Sequence, residues 1–122
     1  MDPKRILIVD DEAGSSRLLK ANLELAGPYE VRVENCPEMA LEVARQFKPN
    51  VALLDVIMPN ISGTSLALAF LEDPDLKFTR IIFLTAAAAP LMTEDVMLIM
   101  CRFPCVFKPA TIEDILFHIE SI

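Results

Sequence analysis

The chain has 122 residues, 53% of them hydrophobic, enough for one domain with a full core and no metal or disulfide staples. Its 11 Lys and Arg are scattered and outweighed by 18 Asp and Glu, for a formal charge of -7, which argues against direct contact with nucleic acid or an anionic membrane. Met1 to Arg5 leads straight into an apolar segment with no secretion leader, and the longest apolar tract, Ile81 to Met92, is too short for a bilayer and carries Pro90. A soluble, cytoplasmic protein is expected.

Arg5 to Val9 is a continuous apolar run, as in a strand buried on both faces, and it ends in Asp10, Asp11 and Glu12. From Ala13 to Ala26 the residues Leu18, Leu19, Leu23 and Ala26 recur at helical spacing until Gly27 and Pro28 stop the helix. Tyr29 to Glu34 alternates strictly, the pattern of an edge strand with one exposed face. Pro37 suits the first turn of a second helix, whose stripe is Ala40, Leu41, Ala44 and Phe47. Val51 to Leu54 is a third, wholly apolar strand with Asp55 at its end, where the loop through Pro59 and Gly63 presents the carboxylate at a crevice.

Thr64 to Leu71 reads as a short helix stopped by Glu72 to Asp75, and Arg80 to Leu84 as a buried strand ending in Thr85. A fourth helix is expected from near Thr93, with Glu94 and Asp95 suiting its positive end. Cys105 to Phe107 is a short last strand, ending in Lys108 and Pro109. Ile112, Ile115, Leu116 and Ile119 mark the clearest amphipathic helix. The three cysteines, Cys36, Cys101 and Cys105, lack metal-type spacing and are expected to be reduced, buried thiols. His118 has no second ligand or nucleophile near it in sequence and reads as a surface or helix-end residue.

Five strands alternating with five helices predict an α/β domain over residues 1–122, a flavodoxin-like doubly wound parallel sheet with right-handed crossovers. The alternating second strand belongs at an edge and the apolar first and third at the centre, which the order 2-1-3-4-5 satisfies. Winding then reverses between the first and third strands, and their carboxyl ends flank the ligand crevice. Asp10, Asp11, Asp55, Thr85 and Lys108 all follow strands and so share that crevice. Carboxylates about 4 Å apart repel by roughly 4 kcal/mol per pair at an effective dielectric near 20, so the cluster calls for a cation or a raised pKa. Mg²⁺, which takes oxygen ligands and keeps several waters, is the simpler answer, with Lys108 covering phosphoryl oxygens that the metal does not reach. Any one of these residues alone reads equally as a strand-end cap or surface charge; the coincidence of five does not.

At these residues the chain resembles the receiver domains of two-component response regulators. The matching segments are Ile8-Val9-Asp10-Asp11-Glu12, Leu54 to Pro59 with Gly63 after it, Leu84-Thr85-Ala86, and Phe107-Lys108-Pro109. The resemblance implies that Asp55 accepts a phosphoryl group from a phosphohistidine on a sensor histidine kinase or phosphotransfer protein. It also implies Mg²⁺ held by Asp11 directly, by Asp10 largely through water, by Asp55 and by the Ile57 carbonyl. Thr85 would bond the phosphoryl group, Lys108 would pair with it, and the peptide bond to Pro109 would be cis. Such a domain is a phosphoacceptor switch with slow self-dephosphorylation, not a turnover enzyme. It reports to a downstream output domain or protein through the surface of the fourth helix, fifth strand and fifth helix; homodimerisation is left open.

The chain departs from that family at three places. Cys105 stands where an aromatic usually does, with Phe103 and Phe107 nearby to substitute for it. Ile57 and Ala87 are apolar where the family's side chains lie near the attacking water, so a long-lived phosphoryl group is expected. Val96 to Cys101 is apolar all round, either extra core or a Met-rich docking surface. Two rivals follow. An aspartate-nucleophile phosphatase of the haloacid dehalogenase type would need Asp-x-Asp after the first strand, where Glu12 stands instead. A pseudo-receiver, an unphosphorylated interaction scaffold, is favoured by Cys105 and the apolar fourth helix but not by the complete acid set.

Overall fold

A computed structural model of the chain describes residues 2–86 and 93–121. Five strands, β1 (Lys4–Val9), β2 (Tyr29–Glu34), β3 (Val51–Leu54), β4 (Arg80–Thr85) and β5 (Cys105–Phe107), form one parallel sheet in the order β2-β1-β3-β4-β5. Helices α1 (Ala13–Ala26), α2 (Ala40–Phe47), α3 (Gly63–Glu72), α4 (Glu94–Met100) and α5 (Ile112–Glu120) connect or follow them. The order is the one predicted, and the strand bounds agree to within one residue: β1 begins at Lys4 instead of Arg5, and β4 includes Thr85. Among the described residues no helix is long and apolar enough to cross a membrane.

The unbroken apolar runs of β1, β3 and β4 have a direct cause: both faces of the sheet are covered. Leu7, Ala52, Leu54 and Phe83 pack with Ala44, Leu66 and Phe70 of α2 and α3 on one face. Their neighbours Ile6, Ile8, Leu53 and Ile82 pack with Leu23, Ile115 and Ile119 of α1 and α5 on the other. Burying such a side chain is worth roughly 1.5–3 kcal/mol, so a polar residue at either phase would be costly. The edge strand β2 alternates because only Val31 is buried while Glu30 and Arg32 face solvent.

Local chemistry fixes the helix ends. Ser62 and Thr93 accept from the Ser65 and Val96 amides, and Thr111 and Asp114 form a reciprocal capping box at α5. Arg5 donates from Nε to the carbonyls of Phe47 and Lys48, tying off α2. At the amino ends of the strands Asn50 joins three of them. Its amide donates to the Arg5 carbonyl (2.8 Å), its side-chain oxygen accepts from the Arg5 amide (2.8 Å), and its carbonyl accepts from the Arg80 amide (2.9 Å).

Three expectations are corrected. In α1, Leu18 is 63% exposed and Ala26 also faces solvent, while Ser16 is buried. Its buried positions are Ser16 and Leu23, with Leu19 partly buried against the core, a narrower stripe than the leucine spacing suggests. The cysteines are free thiols but not buried ones: Cys36, just beyond edge strand β2, and Cys101, at the end of α4, are exposed, and Cys105 is half-buried. Pro37 opens a 3-10 turn, Pro37–Met39, that precedes α2 instead of belonging to it. In α4, Met100 joins the core while Met97 and Leu98 are exposed, so the apolar sequence serves both core and surface.

Candidate functional site

The strand register brings the polar residues together. Val9 pairs with Leu54, so Asp10 and Asp55, each one residue further, lie side by side, and the Asp55 amide donates to the Val9 carbonyl at 3.0 Å. Thr85 pairs with Phe107, which sets Lys108 one step beyond, its amide donating to the Thr85 carbonyl at 2.9 Å. The bond from Lys108 to Pro109 is cis. One carboxylate oxygen from each of Asp10, Asp11 and Asp55 lies within 4.8 Å of the others. Lys108 Nζ donates to Asp10 Oδ2 at 2.8 Å and stands 3.8 Å from Asp55 Oδ2.

The site is graded in depth. Asp10 is buried, Asp11 exposed, and Asp55 half-buried, less open than a carboxylate fully presented at a loop. Burial pushes the Asp55 carboxyl above the ordinary range; Lys108 opposes this, the Asp10 charge adds to it, and bonds from the Thr85 hydroxyl and Val56 amide oppose it again. Burial works against the Lys108 ammonium too, but the Asp10 bond and the charges of Asp10, Asp55 and Glu12 outweigh it and lift its pKa above the usual lysine value. Three carboxylates facing one ammonium leave net negative charge in a pocket of oxygen donors, with no His or Cys in the cluster. That donor set fits a hard divalent cation such as Mg²⁺. Ile57 follows in the loop after Asp55 with its side chain 46% exposed, and Ala87 lies outside the described residues.

Three contributors escape a reading of strand ends alone. Asn35 Nδ2 donates to the Asp10 carbonyl at 2.7 Å and to Ser16 Oγ at 2.9 Å, and Ser16 Oγ donates to the Glu12 carbonyl at 2.8 Å. The acidic loop is thus braced from Asn35, the residue after β2, and from α1. The available signal is Ser16 itself, a small polar residue seven before Leu23 on the buried stripe. The third is Gly63: a Cβ there would fall 2.0 Å from the Asp55 carbonyl oxygen, so the helix start packs directly on the backbone of that acid. Phe103, of the two aromatics near Cys105, packs edge-on against Phe83 at 5.4 Å, whereas Phe107 is 57% exposed.

A doubly wound parallel sheet of order 2-1-3-4-5, with an acidic cluster, a buried hydroxyl and a lysine gathered at its switch point, defines the class as flavodoxin-like α/β domains with a ligand crevice at the strand ends. The chain belongs to the response regulator receiver domain family, whose model matches residues 6–120. It is 31% identical over 86 residues to the polar-differentiation response regulator DivK of Brucella anthropi, covering 70% of this chain and 69% of that one. It spans only 18% of the response regulator PleD of Caulobacter vibrioides, at 37% identity over 67% of this chain. Among solved structures, chemotaxis protein CheY4 of Vibrio cholerae superposes with a TM-score of 0.83 at 25% identity over 97% of both chains. A response regulator from Burkholderia pseudomallei, solved with a phosphorylated aspartic acid and a calcium ion, gives 0.81 at 26% identity over 97% of this chain and 67% of that one.

Proposed function

We propose that this receiver domain accepts a phosphoryl group on Asp55 from a phosphohistidine donor, a sensor histidine kinase or a phosphotransfer protein, and acts as a switch and not as a turnover enzyme. The observation that carries the reading is the convergence of Asp10, Asp11 and Asp55 within 4.8 Å beside Lys108. One Asp55 oxygen forms the new P–O bond as the P–N bond to the donor imidazole breaks and the bonding pair stays on the nitrogen. Asp10, Asp11, Asp55 and the Ile57 carbonyl would hold Mg²⁺, which when bound neutralises phosphoryl oxygens. Lys108 is placed to leave Asp10 for the incoming charge, and Thr85, already bonded to Asp55, to bond the phosphoryl oxygen instead.

Phosphorylation adds about -1.5 to -2 charge to the pocket. The output is carried by backbone and helix movement around Thr85 and Phe107 toward the surface of α4, β5 and α5, where Met97, Leu98 and Phe107 are exposed for a downstream domain or protein. Cys105 has no ring to swing inward, so a Cys105→Tyr change that alone created phosphorylation-dependent partner binding would refute this route. Ile57 cannot orient a water by hydrogen bonding, and Ile57→Asn should shorten the phosphoryl lifetime.

Intact mass after incubation with Mg²⁺ and acetyl phosphate tests the core claim. A single phosphoryl adduct, absent in Asp55→Asn, is expected. No adduct on folded wild-type protein would leave the domain as an unphosphorylated scaffold.

A further inference from the structure

Edge strand β2 lies along a cleft of about 480 Å³ that the phosphoacceptor site does not use. Its walls are Ala13, Arg17 and Lys20 of α1 on one side and Phe47 of α2 on the other, with β2 between them. The Glu34 carbonyl accepts from the Asp10 amide, so even-numbered residues of β2 turn their backbone groups to β1. By alternation Val31 and Val33 turn theirs outward, into the cleft. The Glu24 carboxylate, bonded to Lys20 at 2.9 Å, sits close enough to the Val31 amide to be held below the ordinary range, first by Lys20 and in part by that amide. Beside the cleft, a carboxylate of α1 is thus already held by a cation and, in part, by an edge amide of β2.

Charge is concentrated here against the trend of the molecule. In a chain of net charge -7, Arg17, Lys20 and Arg32 line one cleft that holds a single acid, Glu30. Arg32 lies over the Phe47 ring at 4.9 Å, and among the described residues neither Arg17 nor Arg32 has a carboxylate partner. We infer that β2 accepts an extended acidic segment of a partner protein as an added strand, its backbone pairing with Val33 and its acid side chains meeting Arg17 and Arg32. A second copy fits poorly: its own β2 would lie at the floor of an equal cleft, so helices would meet before the two edges did. A lone extended segment has no such flanks.

A fluorescent, terminally blocked peptide of alternating Val and Glu is the probe, titrated at low salt with amide shifts followed by NMR. Binding below about 1 mM is expected, with shifts at Val31 and Val33, and it should weaken about tenfold in an Arg17→Glu, Arg32→Glu variant. Val33→Pro removes an outward amide and trims a partly buried side chain but takes no donor from the β1 ladder, so it too should weaken binding at equal folded fraction. A matched Val and Lys peptide should not bind. The inference falls if the acidic peptide does not bind, if the charge reversal leaves its affinity unchanged, if shifts map to α4 and α5, or if inorganic tripolyphosphate binds as tightly at the same amides. Phosphoryl uptake at Asp55 is read separately and does not enter the result.

Discussion

Lys108 is hydrogen-bonded to Asp10 at 2.8 Å, whereas to Asp55 it makes only a looser ion pair, at 3.8 Å, with no hydrogen bond. Lys108, the one ammonium at these acids among the described residues, thus neutralises the most deeply buried of them while Asp55 stays available. A lysine reaching from β5 across the sheet ends to the β1 acid also bridges both sides of the crevice.

Replacing Lys108 with Met should leave Asp10 buried without its partner. The expected cost is about 1–3 kcal/mol, from the lost charged hydrogen bond and the uncompensated acid. Mg²⁺ should restore part of it by occupying the acid cluster. Urea unfolding with and without Mg²⁺ checks this; a variant as stable as wild type in metal-free buffer would contradict the arrangement.

Asp55→Asn should stabilise the metal-free domain at neutral pH. The folded carboxyl titrates above its unfolded value of 3.8, chiefly because of burial, so the native state binds the proton more readily. Its contribution is favourable below 3.8 and is lost as pH rises through the folded pKa. At pH 7 wild type carries that cost and the amide does not. Thermal melts from pH 7 downward should show the variant's advantage shrinking with acidification; an advantage that grows in acid has the wrong sign.

Gly63→Ala should disturb the phosphoacceptor itself. The added methyl would meet the Asp55 carbonyl oxygen at 2.0 Å, and backbone cannot swing aside as a side chain does. A loss of about 1–3 kcal/mol is expected, with slower adduct formation at equal folded fraction. Chemical denaturation and the rate of mass increase with acetyl phosphate separate the two effects.

Asn35→Ala should act on the cation pocket from a distance. It removes both braces, to the Asp10 carbonyl and to Ser16, while leaving every carboxylate in place. Stability should fall by about 1 kcal/mol and Mg²⁺ affinity about tenfold by calorimetry. Unchanged Mg²⁺ binding would make Asn35 a purely structural residue.

The sheet order was legible because each strand announces its surroundings: β1, β3 and β4 are apolar at both phases, and Tyr29 to Glu34 alternates. Residues at strand ends were legible for the same reason, since parallel strands point their carboxyl ends one way. What stayed hidden depends on contacts between distant segments. Nothing local in Leu18 says that it faces solvent while Ser16 is buried, and nothing in Asn35 names the Asp10 carbonyl, 25 residues away, as its partner. The cysteines misled because free thiols are usually buried, whereas Cys36 and Cys101 sit in connections at the surface.

The three bonds of Asn50 give the sheet the mechanics of a cantilever. Its root, at Arg5 and Arg80, is riveted to the β3 entrance, while its far end carries the acids, Thr85 and Lys108, tied together chiefly by the Lys108–Asp10 pair. A load applied at the tip should therefore be felt first by the loops hung from it, at the end opposite the three Asn50 bonds. Asn50→Ala would draw one rivet of the three, the side-chain bond to the Arg5 amide, and leave both backbone bonds holding the root.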